Sequence, residues 1–356
     1  MKNLIVNGDI NTYKTRGVIF PIVSEMINNK ESFLVTDSKK EYFNNFKDEA
    51  IKNGYNVKVI NIDNPSLSDS FNIFEIPYDL YKSGKKDEAF RLLEEMIKSF
   101  YNSVDGNADP FWGISAGTLV LSIIMKLFEE ANKEEINLKS VYNMLTKFSN
   151  FDNKLLNSYF KFGSSNKAYM GASDILNYPP ETKGSVIAVA KQTLYDCVIY
   201  DDTLSMISNG DFKLNDKPLA LFIITSNIDY LKNSLFNMII PQILYLCKKD
   251  CDKFNIVLDN YDELNGINLR EILSSSISYN TMVIVGTRDF EKIDESYSNY
   301  LSKVCDIADT NKEKINCEKI DEEIKELPKN NVREVSVFDI YKHLSSDLIK
   351  MVGSDE

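Results

Sequence analysis

The segment Gly8-Asp9-Ile10-Asn11-Thr12-Tyr13-Lys14-Thr15 follows the short apolar run Leu4-Ile5-Val6 after a single residue, Asn7. A phosphate-binding loop needs a strand, then a turn whose backbone N–H groups face the anion. A lysine for the outer phosphates and a Ser/Thr hydroxyl for magnesium come next. Gly8, Lys14 and Thr15 stand at those offsets. Tyr13 occupies the position before the lysine where a glycine is expected, adding a Cβ and a ring where backbone must approach the ligand closely. Asp9 adds a negative charge nearby. By local pattern alone, a strand-to-helix connection without catalytic meaning fits as well as a nucleotide site.

A second element is Phe254-Asn255-Ile256-Val257-Leu258-Asp259, an apolar run ending in an acid. This has the form of a Walker B strand, whose acid holds the magnesium hydration shell and whose neighbouring glutamate usually positions water. Here the neighbour is Asn260, which exchanges hydrogen bonds but cannot take a proton. Gly8, Tyr13, Lys14 and Thr15 are therefore the candidate nucleotide contacts, Thr15 and Asp259 the candidate magnesium ligands, and Asp259 with Asn260 the candidate catalytic pair. ATP and Mg²⁺ are the cofactors this set would take. Asp37-Ser38-Lys39-Lys40-Glu41 ends another apolar run and reads either as a contributor at the same edge or as a helix start with a charged first turn. Asp109-Pro110-Phe111-Trp112 reads as a helix start anchored by aromatics.

These groups have to be positioned by a sheet. Buried-strand runs recur at Leu4–Val6, Phe33–Asp37, Val57–Ile60, Leu219–Thr225, Phe254–Asp259 and Thr281–Gly286, mostly followed by polar turns and helical patterns. That alternation predicts an α/β fold with a mainly parallel sheet, ligands lying at the strands' carboxyl ends. From Pro77 to about Pro180 the periodicity is helical: Ala89, Leu92, Leu93, Met96, Ile97 and Phe100 share one face. The expected organisation is a nucleotide-binding domain in two parts, 1–77 and 181–356, with an all-α domain inserted at 78–180. Tyr178-Pro179-Pro180 marks the expected return. The charged stretch 312–326 reads as a solvated helix face.

The 356 residues carry 53 acidic and 41 basic side chains, a formal net charge of −12, with arginine only at 16, 91, 270, 288 and 333. A monomer so charged should not coat duplex DNA unaided, because phosphate affinity needs a basic face. A basic pore within a ring stays open. Cys197, Cys247, Cys251, Cys305 and Cys317 are scattered without CxxC spacing, the pattern of reduced thiols. With His343 the sole histidine and no GxSxG or HExxH element, serine- and zinc-hydrolase chemistry lacks support. The segment beginning Met1-Lys2-Asn3 shows no signal peptide, and the apolar runs Thr118–Phe128 and Leu235–Cys247 fall short of the ~20 residues of a membrane helix. Abundant Asn, Lys, Ile, Asp and Ser suggests an AT-rich bacterial genome.

In order and spacing, the motifs resemble the type IV coupling protein family, the TraG-type conjugation ATPases, over about 300 residues of the chain. Lys14-Thr15-Arg16-Gly17, Leu34 to Glu41 and Gly54 to Val59 look like the family's phosphate loop, its strand ending in Asp-Pro-Lys-Gly-Glu and its next strand. Ser70-Phe71-Asn72-Ile73 resembles the step before its helical insertion, and Asp109-Pro110-Phe111-Trp112 the insertion's Phe-Trp signature. Asp211-Phe212 with Pro218 to Ile224 is similar to the strand entering the second half of the motor. Leu258-Asp259-Asn260-Tyr261-Asp262-Glu263-Leu264-Asn265-Gly266-Ile267 is similar to the Walker B segment.

The resemblance implies a RecA-like P-loop NTPase fold with an all-α insertion. It also implies a homo-hexamer that delivers single-stranded DNA with its relaxase, or protein substrates, to a secretion channel. It further implies a cytoplasmic location at the inner face of the membrane, reached only through an anchor absent from this chain or through a partner. The departures fall where hydrolysis would occur. The loop glycine is Tyr13, the Walker B glutamate is Asn260, the glutamine ending the next strand is Thr287, and the intervening arginines are Ile277 and Tyr279, with Arg288 one position past the strand. A positioned base contributes ~10²–10⁴ in rate and an arginine finger ~10³–10⁵. Their loss leaves a P-loop ATPase-like chain with degenerate motifs, able to bind nucleotide with little turnover, or a catalytically inactive adaptor that recruits secretion or conjugation components.

Overall fold

The computed structural model describes residues 3–9, 13–102, 109–150, 154–161, 166–208, 210–224, 229–250, 253–264, 269–288, 301 and 304–310. His343, Cys251, Cys317 and the charged stretch 312–326 lie outside these, as does the loop interior 10–12.

Seven parallel strands form the sheet: β1 Asn3–Asn7, β2 Ser32–Asp37, β3 Asn56–Asn61, β4 Leu219–Ile224, β5 Phe254–Leu258, β6 Val283–Thr287 and β7 Cys305–Asp309. Their spatial order is β3-β4-β2-β5-β6-β1-β7. Register is continuous across the centre, with Leu34 opposite Ile256 and Leu221, Val257 opposite Ile284, and Ile5 opposite Val285. Strand β7 was not read from the sequence. It is an edge strand in which only Cys305 and Ala308 are buried, and it carries two aspartates, so it lacks the apolar run that marked the others.

Side-chain alternation assigns the two faces. Val6, Phe33, Val35, Phe222, Val257 and Ile284 point to one side, under α1 (Phe20–Asn28) and α2 (Glu41–Lys52). Their neighbours Ile5, Leu34, Leu221, Ile223, Ile256 and Val285 point to the other. There they join a core shared with the helices between β3 and β4: α3 Glu75–Lys82, α4 Lys86–Asn102, α5 Pro110–Glu130, α6 Leu138–Asn150, α7 Lys154–Lys161, α8 Asn166–Asn177, α9 Pro180–Val198 and α10 Asp201–Ser208. Two further helices, α11 Asp229–Asp250 and α12 Leu269–Ser278, follow β4 and β5. The helical run thus continues past Pro180, which opens α9 as its first residue, and the chain re-enters the sheet only at Leu219.

Asp109 caps α5 by accepting from the Phe111 amide at 3.0 Å. This helix is long and apolar enough to cross a membrane, yet 67% of its apolar 18-residue stretch is buried inside the fold. It packs on α4, α8 and α9 as a core helix. At the joint between helices and sheet, the Glu75 carboxylate, only 7% exposed, pairs with Lys133 at 2.7 Å and Lys213 at 3.0 Å. One acid therefore ties α3 to the turn before α6 and to the segment leading into β4.

Candidate nucleotide site

The carboxyl ends of β1, β2, β5 and β6 converge on a recess of about 120 Å³ lined by Lys14, Thr15, Thr36 to Lys39, Glu41, Tyr42, Asp259, Asn260 and Arg288. Such an edge is where open α/β sheets bind ligands. A larger cavity of about 410 Å³ lies away from it, between α4, α11 and α12. The smaller recess is the functional candidate, because the paired acid, hydroxyl and lysine converge there.

A left-handed residue precedes Lys14. Tyr13 sits at φ 60°, ψ 10° and turns the chain into a π-helical segment, Lys14–Ile19, that runs into α1. A non-glycine residue held there stores roughly 1–3 kcal/mol of strain. The Tyr13 carbonyl accepts from Gly17 N at 2.6 Å. Gly8 behaves differently from a phosphate-facing glycine: its N–H donates to the Thr287 carbonyl at 3.0 Å, extending the β1–β6 ladder. Neither Gly8 nor Tyr13 lines the recess, whereas Lys14, Thr15, Asp259 and Asn260 all do.

Asp259, 6% exposed, is the hub. Its Oδ2 accepts from Thr15 Oγ1 at 2.8 Å and from the Tyr42 hydroxyl at 3.0 Å. Its Oδ1 accepts from Asn260 N at 2.9 Å, and its backbone carbonyl accepts from Thr36 Oγ1 at 2.9 Å. Gly286 on β6 stands directly against it, since a Cβ there would lie 2.2 Å from Oδ1. Asn260 is left-handed, at φ 55°, and its amide donates to Ser38 Oγ at 3.1 Å. That side chain spans the ends of β5 and β2 and offers no proton acceptor of carboxylate strength.

Lys14 is 6% exposed. Burial holds its amine below the ordinary lysine value, and neighbouring Arg288 adds to the lowering, although Asp259, Asp262 and Glu263 act in the other direction. Asp37 accepts from Phe43 N at 2.8 Å, at the start of α2. Burial raises its carboxyl above the usual range against the pull of those helix-start amides. Asp37 thus lines the recess and takes an amide of the helix's first turn, while the N-cap position itself falls to Lys40 in the left-handed region, at φ 59°.

Past Asp259, a single turn, Tyr261–Glu263, clips to the end of β6. Asp262 Oδ1 accepts from Thr287 Oγ1 at 2.7 Å, its Oδ2 accepts from Arg288 N at 2.7 Å, and Arg288 Nη2 reaches Glu263 Oε1 at 2.7 Å. Ile277 is exposed on α12, and Tyr279 lines the larger cavity instead of this recess. Sequence reasoning missed Thr36, Tyr42, Asp262 and Glu263. The available signal was a hydroxyl in an otherwise apolar strand and a tyrosine on the buried face of α2, since each such hydroxyl needs a partner when buried.

The model of the family described as type IV secretory system conjugative DNA transfer matches residues 3–260, well over half of the chain. The chain belongs to this family. No curated protein matches the sequence at a significant level. Among solved structures, the chain resembles the plasmid coupling protein TrwB in complex with the ATP analogue ADPNP, at 15% identity and TM-score 0.58, covering 85% of this chain and 67% of that one. TrwB in complex with ADP and Mg²⁺ matches at 14% identity and TM-score 0.57, with the same coverage of 85% and 67%. VirB4 of Thermoanaerobacter pseudethanolicus matches at 12% identity and TM-score 0.52, over 86% of this chain and 76% of that one. At such identities the likeness establishes the fold: this member of the conjugative DNA transfer family has the RecA-like P-loop NTPase architecture expected from its sequence.

Proposed function

We propose that this chain is a coupling-type subunit of a conjugative or type IV secretion apparatus that binds Mg²⁺-ATP in the recess and turns it over slowly or not at all. The observation that carries the reading is the 2.8 Å bond between Thr15 Oγ1 and Asp259 Oδ2, beside a lysine buried in the same recess. The donor set fits the cofactor. A hydroxyl and a carboxylate are the hard oxygen ligands magnesium prefers, and an amine whose charged form burial disfavours suits a polyphosphate. Lys14 would bind the outer phosphates, and Thr15 with Asp259 would hold the metal, which supplies charge neutralisation at the phosphoryl group. Asn260 orients Asp259 through its amide N–H but gives attacking water no base.

Membership of the conjugative DNA transfer family supports a role in substrate transfer. On that reading the substrate is single-stranded DNA with its relaxase, or a protein, delivered to secretion-channel components by a homo-hexamer at the cytoplasmic face of the membrane. The side chain of Asn260 favours a second reading, an adaptor that binds nucleotide without hydrolysis and recruits transfer components. Calorimetric titration with ATP and magnesium, followed by phosphate release with and without single-stranded DNA, tests both. Binding abolished by Lys14→Ala supports the site, and DNA-stimulated turnover selects the motor over the adaptor. No binding at all by the wild-type chain overturns the nucleotide reading.

A further inference from the structure

We propose that Arg288 is a phosphate-binding arm of this same subunit, exchanging Glu263 for the outermost phosphate of a nucleoside triphosphate. The proposal rests on the nucleotide-binding reading above. It supplies within one chain a cation that the recess, among the described residues, otherwise draws only from lysines.

The base of the arm is fixed. Arg288 N donates to Asp262 Oδ2 at 2.7 Å, the preceding Thr287 donates its hydroxyl to Asp262 Oδ1 at 2.7 Å, and the Thr287 carbonyl takes the Gly8 amide at 3.0 Å. Residue 288 is thereby held between the turn after β5 and the start of the loop after β1. The head is held lightly. Its described ion pair is with Glu263 at 2.7 Å, and the two side chains are 41% and 34% exposed. Ion pairs of that exposure contribute little, so giving one up for a phosphate costs little.

Two further features aim the arm at phosphate. Arg288 is the only arginine lining the recess among the described residues, and it lines it together with Lys14, Asp259 and Asn260. Thr15 and Asp259 would hold the metal that neutralises the outer phosphates, so a cation lining the same recess would meet the terminal phosphate. The guanidinium fork matches phosphate oxygens in a way a lysine does not. Lys14 and Arg288 line the same recess, so a polyanion bound there meets both charges. Glu263 then acts as a place-holder for the empty site.

The test is calorimetric titration of the full chain with ATP and with ADP, each with magnesium. It compares the wild type with Arg288→Ala, Arg288→Lys and Glu263→Gln, each checked for an unchanged circular-dichroism spectrum. Arg288→Ala should weaken ATP binding about tenfold to a hundredfold, the range of a lost charge-assisted hydrogen bond, and ADP binding far less. Arg288→Lys should recover only part of the loss. Glu263→Gln, which removes the competing acceptor, should leave ATP binding unchanged or tighten it by up to about fivefold. Equal losses for ATP and ADP, unchanged ATP affinity in Arg288→Ala, or weakened ATP affinity in Glu263→Gln overturns the proposal while leaving the nucleotide site intact. A wild-type chain that binds neither nucleotide overturns the site itself, and this proposal with it.

Discussion

The Tyr42 hydroxyl, on the first turn of α2, donates to Asp259 Oδ2 at 3.0 Å, sharing that oxygen with Thr15. Tyr42 is 2% exposed and packs edge-on against Phe20. Burial and the adjacent Asp259 push its phenol well above the usual tyrosine range, so it stays a donor. The acid at the end of β5 is therefore positioned by a helix that enters the chain more than two hundred residues earlier.

Tyr42→Phe keeps the ring packing and deletes this donor. Hydrogen bonds to charged groups contribute about 1.5–3 kcal/mol, and urea unfolding of the nucleotide-free protein should show a loss in that range. Adding ATP and magnesium should then raise the melting temperature more in the variant than in the wild type, because Asp259 Oδ2 has one competitor fewer for the metal's hydration shell.

Gly286→Ala tests the close approach of β6 to the acid. Its Cβ would lie 2.2 Å from Asp259 Oδ1, so the carboxylate must swing away from Asn260 N. Overpacking of this kind costs roughly 1–3 kcal/mol. The variant should remain folded by circular dichroism while losing the magnesium dependence of ATP binding.

Lys14 gives a pH signature. Burial keeps its amine below the ordinary value of 10.5, so between the lowered value and 10.5 the empty site holds a neutral amine. A bound phosphate favours the ammonium form and draws a proton from solution. Calorimetry near the upper end of that window, in two buffers of different ionisation enthalpy, should show net proton uptake on ATP binding, and Lys14→Met should abolish both uptake and binding.

Glu75 should govern part of the acid limb of stability. Burial alone would raise its carboxyl, but the hydrogen bonds and charges of Lys133 and Lys213 outweigh it and leave the group below its ordinary value of 4.5. A depressed carboxylate stabilises the fold above its unfolded pKa and loses that contribution as pH falls through the folded value. Denaturant midpoints should therefore drop below about pH 4.5 in the wild type. In Glu75→Gln they should start lower and fall less steeply.

Much of this arrangement was legible in the chain. The apolar runs around Ile5, Leu34, Leu221, Ile256 and Val285 had to be buried on both faces, which requires parallel strands under helices. The offsets of Lys14, Thr15 and Asp259 located the recess, because strand ends in such a sheet lie on one edge. Periodicity also marked the helices around Leu92 and Phe100, though it placed the return to the sheet at Pro180, a residue as well suited to opening a helix as to ending one.

By itself the sequence determined the family, the parallel sheet and the pairing of a Lys-Thr loop with a strand-end acid, since these follow from local periodicity and short fixed spacings. Only the tertiary structure decided that Gly8 spends its amide on Thr287 rather than on a ligand, that Tyr42 and Thr36 hold Asp259, and that Arg288 faces the recess from a turn clipped by Asp262. The reason is physical: the strand order places β5 and β6 between β1 and β2, so partners 217 to 279 positions apart meet through sheet register, which no local pattern encodes.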